Sequence, residues 1–182
     1  KYSSSLSKGN VFNFDITEDY VNDIKSKINL NRGISTIMDC GNATAGLVAP
    51  DVFKEFNINN QELYCNIDDT FPNHHPDPTV DSNLIDLVQL VKNDNVDFGI
   101  AYDGDGDRVV IVDNLGRIIR SDILMSIFIS KIINKNDTVV YDVKCSKSLH
   151  ETILKFGGVP IMYKTGHSLI KNKMLETKSK FG

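Results

Sequence analysis

With 182 residues the chain has room for one large domain or two small ones, each able to bury a core. Hydrophobic residues make up 41%, charged residues 24%, and the net charge is −4, which leaves no basic excess for binding nucleic acid. No apolar run approaches the roughly 20 residues that span a bilayer, and the opening KYSSSLSKGNVFNFD lacks an apolar signal core, so no membrane partner is expected and the expected place is cytoplasmic.

In chain order, DYVNDIKSKINL (19–30) spaces its apolar residues as a helix, with Thr17 as start signal. GISTIMDC (33–40) is β-branched and bounded by glycines, a strand. TAGLVAPDVFKEF (44–56) predicts a helix with an irregularity at Pro50, followed by a short strand in QELYCNI. The three prolines of FPNHHPDPTVDS make it a loop, and SNLIDLVQLVKNDN (82–95) is a helix capped by Ser82 or Asp81. VDFGIAY (96–102) and VVIVDNLG (109–116) are strands around an acidic turn. The rhythm then repeats: SDILMSIFISKIIN is a helix capped by Ser121, DTVVYDV a strand, SKSLHETILKFG a helix closed by Gly157, GVPIMYKTG a strand and HSLIKNKMLETKSK a helix. The alternation predicts an α/β fold of mixed β-sheets covered by helices, with a boundary near Arg117, where Asn114 and Gly116 mark a turn. Cys40, Cys65 and Cys145 are odd in number and outside any CxxC pair, so they read as reduced thiols rather than as disulfides or a zinc site.

The turn DGDGDR (103–108) crowds three carboxylates and a guanidinium between two apolar strands. Like charges repel, and each glycine costs roughly 0.5–1 kcal/mol of backbone entropy relative to alanine, so something outside the turn should offset both. Three converging carboxylates, Asp103, Asp105 and Asp107, suit a hard divalent cation such as Mg2+. An EF-hand is excluded by Gly106 at the fourth position, Arg108 at the sixth and Asn114 at the twelfth. A phosphatase in which Asp103 forms an aspartyl phosphate is an alternative. Arg108 adds a planar cationic fork suited to phosphate or sugar oxygens, which turns a metal site toward phosphoryl transfer. Adjacent His74 and His75 on a proline-stiffened loop cannot easily aim at one ion.

DGDGDR, with FPNHHPDP before it and DVKCSKSL and TGHSLIK after it, resembles the α-D-phosphohexomutases, in particular their phosphomannomutase/phosphoglucomutase branch. The resemblance runs from about Asp15 to the end. It implies a phosphohexomutase-type α/β domain followed by a truncated second α/β domain: residues 1–14 as tail or linker, 15–117 as the second domain with the metal loop, and 118–182 as the N-terminal part of the third. It further implies reversible interconversion of hexose 1-phosphate and hexose 6-phosphate, with mannose or glucose as the sugar. The reaction passes through a 1,6-bisphosphate with an upstream phosphoserine and Mg2+. Asp103, Asp105 and Asp107 would hold the metal. Arg108 would look outward to the phosphate or sugar, and Lys144, in DVKCS, would neighbour the reacting groups. Thr165, Gly166 and His167 would form the sugar-binding loop, with His167 able to donate to, or exchange a proton with, a hydroxyl. FPNHHPDP would brace the acidic turn.

TGHSLIK stands where the related phosphoglucosamine mutases carry a Gly-Asp-Arg element, which favours the glucose/mannose branch. The chain lacks a phosphoserine segment, the segment expected after the sugar loop and a fourth domain. It opens on Lys1 and not on methionine. A piece of a longer enzyme is therefore expected, inactive alone, completed by its missing domains, and with an unpaired sheet edge in its second half. A non-catalytic module that binds a sugar phosphate or a metal is the reading from another class.

Overall fold

The computed structural model describes residues 9–30 and 33–182. Residues 1–8 of the expected N-terminal tail lie outside the described residues. The first helix, α1 (Thr17–Lys27), starts where Asp15 Oδ1 accepts a hydrogen bond from the Thr17 amide (2.9 Å). Glu18 and Asp19 in its first turn and Lys25 and Lys27 in its last complement the helix dipole. It ends at Lys27, short of the expected Leu30, because Ile28 is already extended.

Strand β1 (Ser35–Asp39) buries Thr36, Ile37, Met38 and Asp39, as expected of a strand covered on both faces. A 3-10 turn (Thr44–Leu47) and helix α2 (Ala49–Glu55) replace the single helix expected there. Pro50 falls in the first turn of α2, where its missing N–H costs nothing. Strand β2 (Asn59–Leu63) begins two residues earlier than expected and stops before Cys65. After the proline loop, a second 3-10 turn (Asp81–Leu84) leads into α3 (Ile85–Asn93), whose start shows no side-chain cap, so neither Ser82 nor Asp81 serves as one. Gly99 is required under this helix: a Cβ there would lie 2.7 Å from Val91 and 2.9 Å from Leu87.

Strands β3 (Phe98–Tyr102) and β4 (Val109–Asp113) form an antiparallel hairpin around the acidic turn, with Tyr102 opposite Val109. A further strand, β5 (Ile118–Ile119), pairs with β4 and carries the first sheet three residues past the turn at Asn114–Gly116. The sheet order is β2-β1-β3-β4-β5, parallel among the first three and antiparallel after them. Its core joins Ile37, Leu84, Leu87, Val91, Val110 and Val112.

Arg120 alone separates β5 from α4 (Ser121–Ile132). Ser121 was expected as the cap, but it lies inside the helix, and no side chain caps it. β6 (Thr138–Asp142), α5 (Lys147–Lys155), β7 (Val159–Tyr163) and α6 (His167–Thr177) follow, with Gly157 after α5 at φ +81°. β6 and β7 are parallel, and Phe181 bridges to Val139 on the other side of β6. This unit's core is Ile129, Val139, Tyr141, Leu149 and Ile153. Ile123, Ile127, Phe128 and Ile132 leave α4 apolar on its outer side as well, the pattern of a helix that buries more than one face.

Candidate functional site

The hairpin between β3 and β4 delivers the acidic turn at the end of β3. Asp103 is 1% exposed, and both its oxygens are engaged by Arg108: Oδ1 accepts from the Arg108 amide (2.9 Å) and Oδ2 from Nε (2.6 Å). Asp103 N–H donates back to the Arg108 carbonyl, and Gly106 N–H donates to the Asp103 carbonyl. Gly106 sits at φ +72°, a left-handed conformation that suits glycine. Thr44 holds the turn from outside, its hydroxyl donating to the Gly104 carbonyl (2.8 Å).

One carboxylate oxygen each from Asp103, Asp105 and Asp107 lies within 4.8 Å of the others, with Asp105 and Asp107 exposed. These hard, anionic, converging oxygens fit a divalent cation. The electrostatics carry the strain of that convergence. The negative charge of Asp105 pushes the Asp107 carboxyl above the ordinary carboxylate range. Burial works against ionisation of Asp103, yet the hydrogen bonds from Arg108 outweigh it and hold the carboxyl below that range.

Arg108 faces outward only in part. Its Nε is committed to Asp103, and Nη1 lies 3.6 Å from Asp77, while about half of the side chain stays exposed. The fork therefore offsets part of the turn's negative charge, one guanidinium against three carboxylates.

The proline loop closes on this hairpin and on the end of β1. His74 Nε2 faces both oxygens of buried Asp39 (3.0 and 3.2 Å), and Nδ1 faces the His75 carbonyl (3.0 Å). Two acceptors, Asp39 above all, favour the imidazolium and push the His74 pKa up despite burial. His75 instead stacks edge-on against Phe71, so the two rings diverge. A Cβ at Gly41 would touch Pro76 at 3.0 Å, and one at Gly104 would lie 3.6 Å from the same proline.

In the second unit, Asp142 at the end of β6 gathers two turns. Its Oδ1 accepts from the Lys144 amide (2.7 Å) and from the Thr165 hydroxyl (2.8 Å). Burial opposes ionisation of Asp142, but these donors hold its carboxyl below the ordinary range. Gly166, at φ +142° and ψ +127°, occupies a conformation closed to side-chain-bearing residues and turns the chain into α6 at His167. Lys144, Thr165 and His167 are exposed. Among the described residues, no hydrogen bond or ion pair joins this group to the acidic turn.

Sequence reasoning passed over Thr44 and Asp142, and weighed Asp77 only as a metal ligand beside His74 and His75, not as the partner of Arg108. Only Asp142 left a signal: a carboxylate at the C-terminal end of a strand, where α/β folds place their ligands.

Two family models match in succession, phosphoglucomutase/phosphomannomutase alpha/beta/alpha domain II over residues 18–116 and domain III over residues 120–182. The chain is 44% identical over 171 residues to a phosphomannomutase/phosphoglucomutase of Pseudomonas aeruginosa, covering 93% of this chain and 37% of that protein. It is 41% identical over 172 residues to a phosphoglucomutase of Neisseria meningitidis, with 93% and 37% covered. The crystal structure of a phosphoglucomutase/phosphomannomutase family protein from Burkholderia thailandensis superposes with a TM-score of 0.88 at 39% identity, over 93% of this chain and 38% of that one. Parafusin, a phosphoglucomutase of Paramecium, shares the fold at 24% identity, with a TM-score of 0.71 over 90% of this chain and 32% of that one. The chain thus spans less than two-fifths of the length of these relatives. With two domain models of one family matched in sequence and the acidic turn built inside the first, the chain belongs to the phosphoglucomutase/phosphomannomutase family.

Proposed function

We propose that this chain supplies the metal loop and part of the sugar site of a hexose-phosphate mutase. That enzyme interconverts hexose 1-phosphate and hexose 6-phosphate through a bisphosphate, using a phosphoserine outside these 182 residues. The observation that carries the reading is the convergence of Asp103, Asp105 and Asp107 within 4.8 Å at the end of a strand in the domain II match. Mg2+ held there would neutralise charge on the transferring phosphoryl group.

The chain's own residues do the rest. Asp103, fixed by Arg108, sets the position of the other two carboxylates, and the outer nitrogens of Arg108 meet phosphate or sugar oxygens. Lys144 offsets the negative charge of the bound phosphate. Thr165 and Gly166 shape the turn, and His167 exchanges a proton with the sugar hydroxyl. A phosphatase with Asp103 as nucleophile is disfavoured because both oxygens of this buried carboxylate are already bonded to Arg108.

The test is an assay of the full-length protein with mannose 1-phosphate and glucose 1-phosphate, Mg2+ and a hexose bisphosphate. Conversion to the 6-phosphates that Asp105→Ala abolishes is the expected result. Absence of conversion, or conversion indifferent to Asp105→Ala, would refute the reading. The 182-residue chain alone should not turn over, since the phosphoserine segment is not among its residues.

A further inference from the structure

Cys40 and Cys65 lie 25 residues apart in sequence, yet their sulfurs approach to 3.2 Å. The sheet brings them there. Cys40 directly follows β1 and Cys65 lies just past β2, and the parallel ladder continues beyond both strands: Cys40 N–H donates to the Leu63 carbonyl (3.1 Å) and Asn42 N–H to the Tyr64 carbonyl (2.7 Å). Both thiols are free, Cys40 wholly buried and Cys65 partly exposed. A disulfide needs sulfurs at about 2.0 Å, so side-chain rotation has only about 1.2 Å to close.

We propose that Cys65 and Cys40 form a peroxide-reactive dithiol that closes reversibly to a disulfide. The Cys65 thiol loses its proton and, as the thiolate, attacks hydrogen peroxide; the O–O bond breaks, the leaving hydroxide takes up that proton as water, and Cys65 becomes a sulfenic acid. The Cys40 thiol then attacks the Cys65 sulfur and gives its proton to the departing hydroxyl, so that the S–S bond forms, the S–O bond breaks and water leaves. Two thiols and one peroxide thus give one disulfide and two waters. Cys40 is placed for the second step by its contact with the Cys65 sulfur, its one side-chain partner among the described residues.

The pair borders the segment that holds the acidic turn. Cys40 leads through Gly41 and Asn42 to Thr44, which bonds Gly104, and the 3-10 turn packs so tightly on Cys65 that a Cβ at Gly46 would lie 2.0 Å from its carbonyl. Oxidation would therefore tie two segments that converge behind the acidic turn.

The test treats the full chain with hydrogen peroxide, alkylates the remaining thiols and maps peptides by mass, with Cys145 in the second unit as internal standard. A Cys40–Cys65 crosslink lacking two hydrogens is expected. It should form at least tenfold faster than Cys145 loses its alkylation, and a thiol reductant should reverse it. In Cys40→Ala, a sulfenic-acid probe should label Cys65; in Cys65→Ala, Cys40 should stay unlabelled. Loss of Cys65 and Cys145 at equal rates, or conversion of Cys65 to sulfinate with Cys40 intact, would overturn the proposal. The wild-type map decides the question even if a variant fails to fold.

Discussion

The acidic turn and the turns after β6 and β7 carry the two halves of the candidate site on opposite terms. The acidic turn closes on itself: Arg108 bonds Asp103 through both backbone and side chain, Gly106 folds the loop back, and Thr44 secures Gly104. The second group hangs from one carboxylate, Asp142, and among the described residues the Lys144 ammonium and the His167 imidazole have no hydrogen-bond partner. In the acidic turn the chain compensates the buried charge, Asp103, and leaves the exposed pair Asp105 and Asp107 to repel each other. Isolated polar groups at strand ends can wait for a ligand.

The sharpest way to break this contrast is Asp103→Ala. Removing a buried carboxylate that accepts two bonds from Arg108 should cost about 2–3 kcal/mol in urea unfolding, whereas exposed Asp105→Ala should stay within about 0.5 kcal/mol. Both should abolish Mg2+ binding measured by calorimetry. An equal stability loss at Asp105 would show that the turn is not closed through Asp103.

Asp142→Ala should come next, at about 1–2 kcal/mol, because it frees the Lys144 amide and the Thr165 hydroxyl together. Asp142→Asn keeps an acceptor at the same place and should recover most of the loss. Failure of that recovery would mean that charge, not hydrogen bonding, ties the two turns.

His74 predicts a pH dependence. Its folded pKa is raised above the ordinary 6.5 by Asp39, so the stabilisation is fully present below pH 6.5 and is lost as pH rises through the folded value. Wild-type melting temperature should therefore fall across that window by more than that of His74→Gln. Parallel profiles would remove the proline loop from the support of the first half-site.

Lys144→Ala and His167→Ala should change stability least, within about 0.5 kcal/mol, since both side chains are exposed. Turnover of the full-length protein should nevertheless fall by at least about tenfold, the loss of roughly 1.4 kcal/mol of transition-state stabilisation. A stability loss comparable to that of Asp142→Ala would make these residues part of the framework.

What the sequence disclosed follows the range of the forces involved. Helices and strands were legible because β-branched runs and helical spacing are local signals, and the acidic turn stood out because its charges are adjacent. β5 escaped because Ile118 and Ile119 are too few to show a strand's alternation. The bond from Thr44 to Gly104 spans 60 residues and that from Thr165 to Asp142 spans 23, so only the folded sheets bring these partners together. The bond from Arg108 Nε to Asp103 was equally hidden: the position of Arg108 in the loop was plain, but that bond depends on the burial of Asp103.

Arg120 stands by itself between β5 and α4, and its guanidinium pairs with Asp81 at the start of the turn leading to α3. Mechanically, this is a short coupling: one residue joins the first sheet to α4, and α4 also packs against β4. The catch across it is weak, because both partners of the ion pair are substantially exposed and such pairs contribute about 0–1 kcal/mol. What resists bending at this residue is therefore the packing of α4 against β4 more than the ion pair.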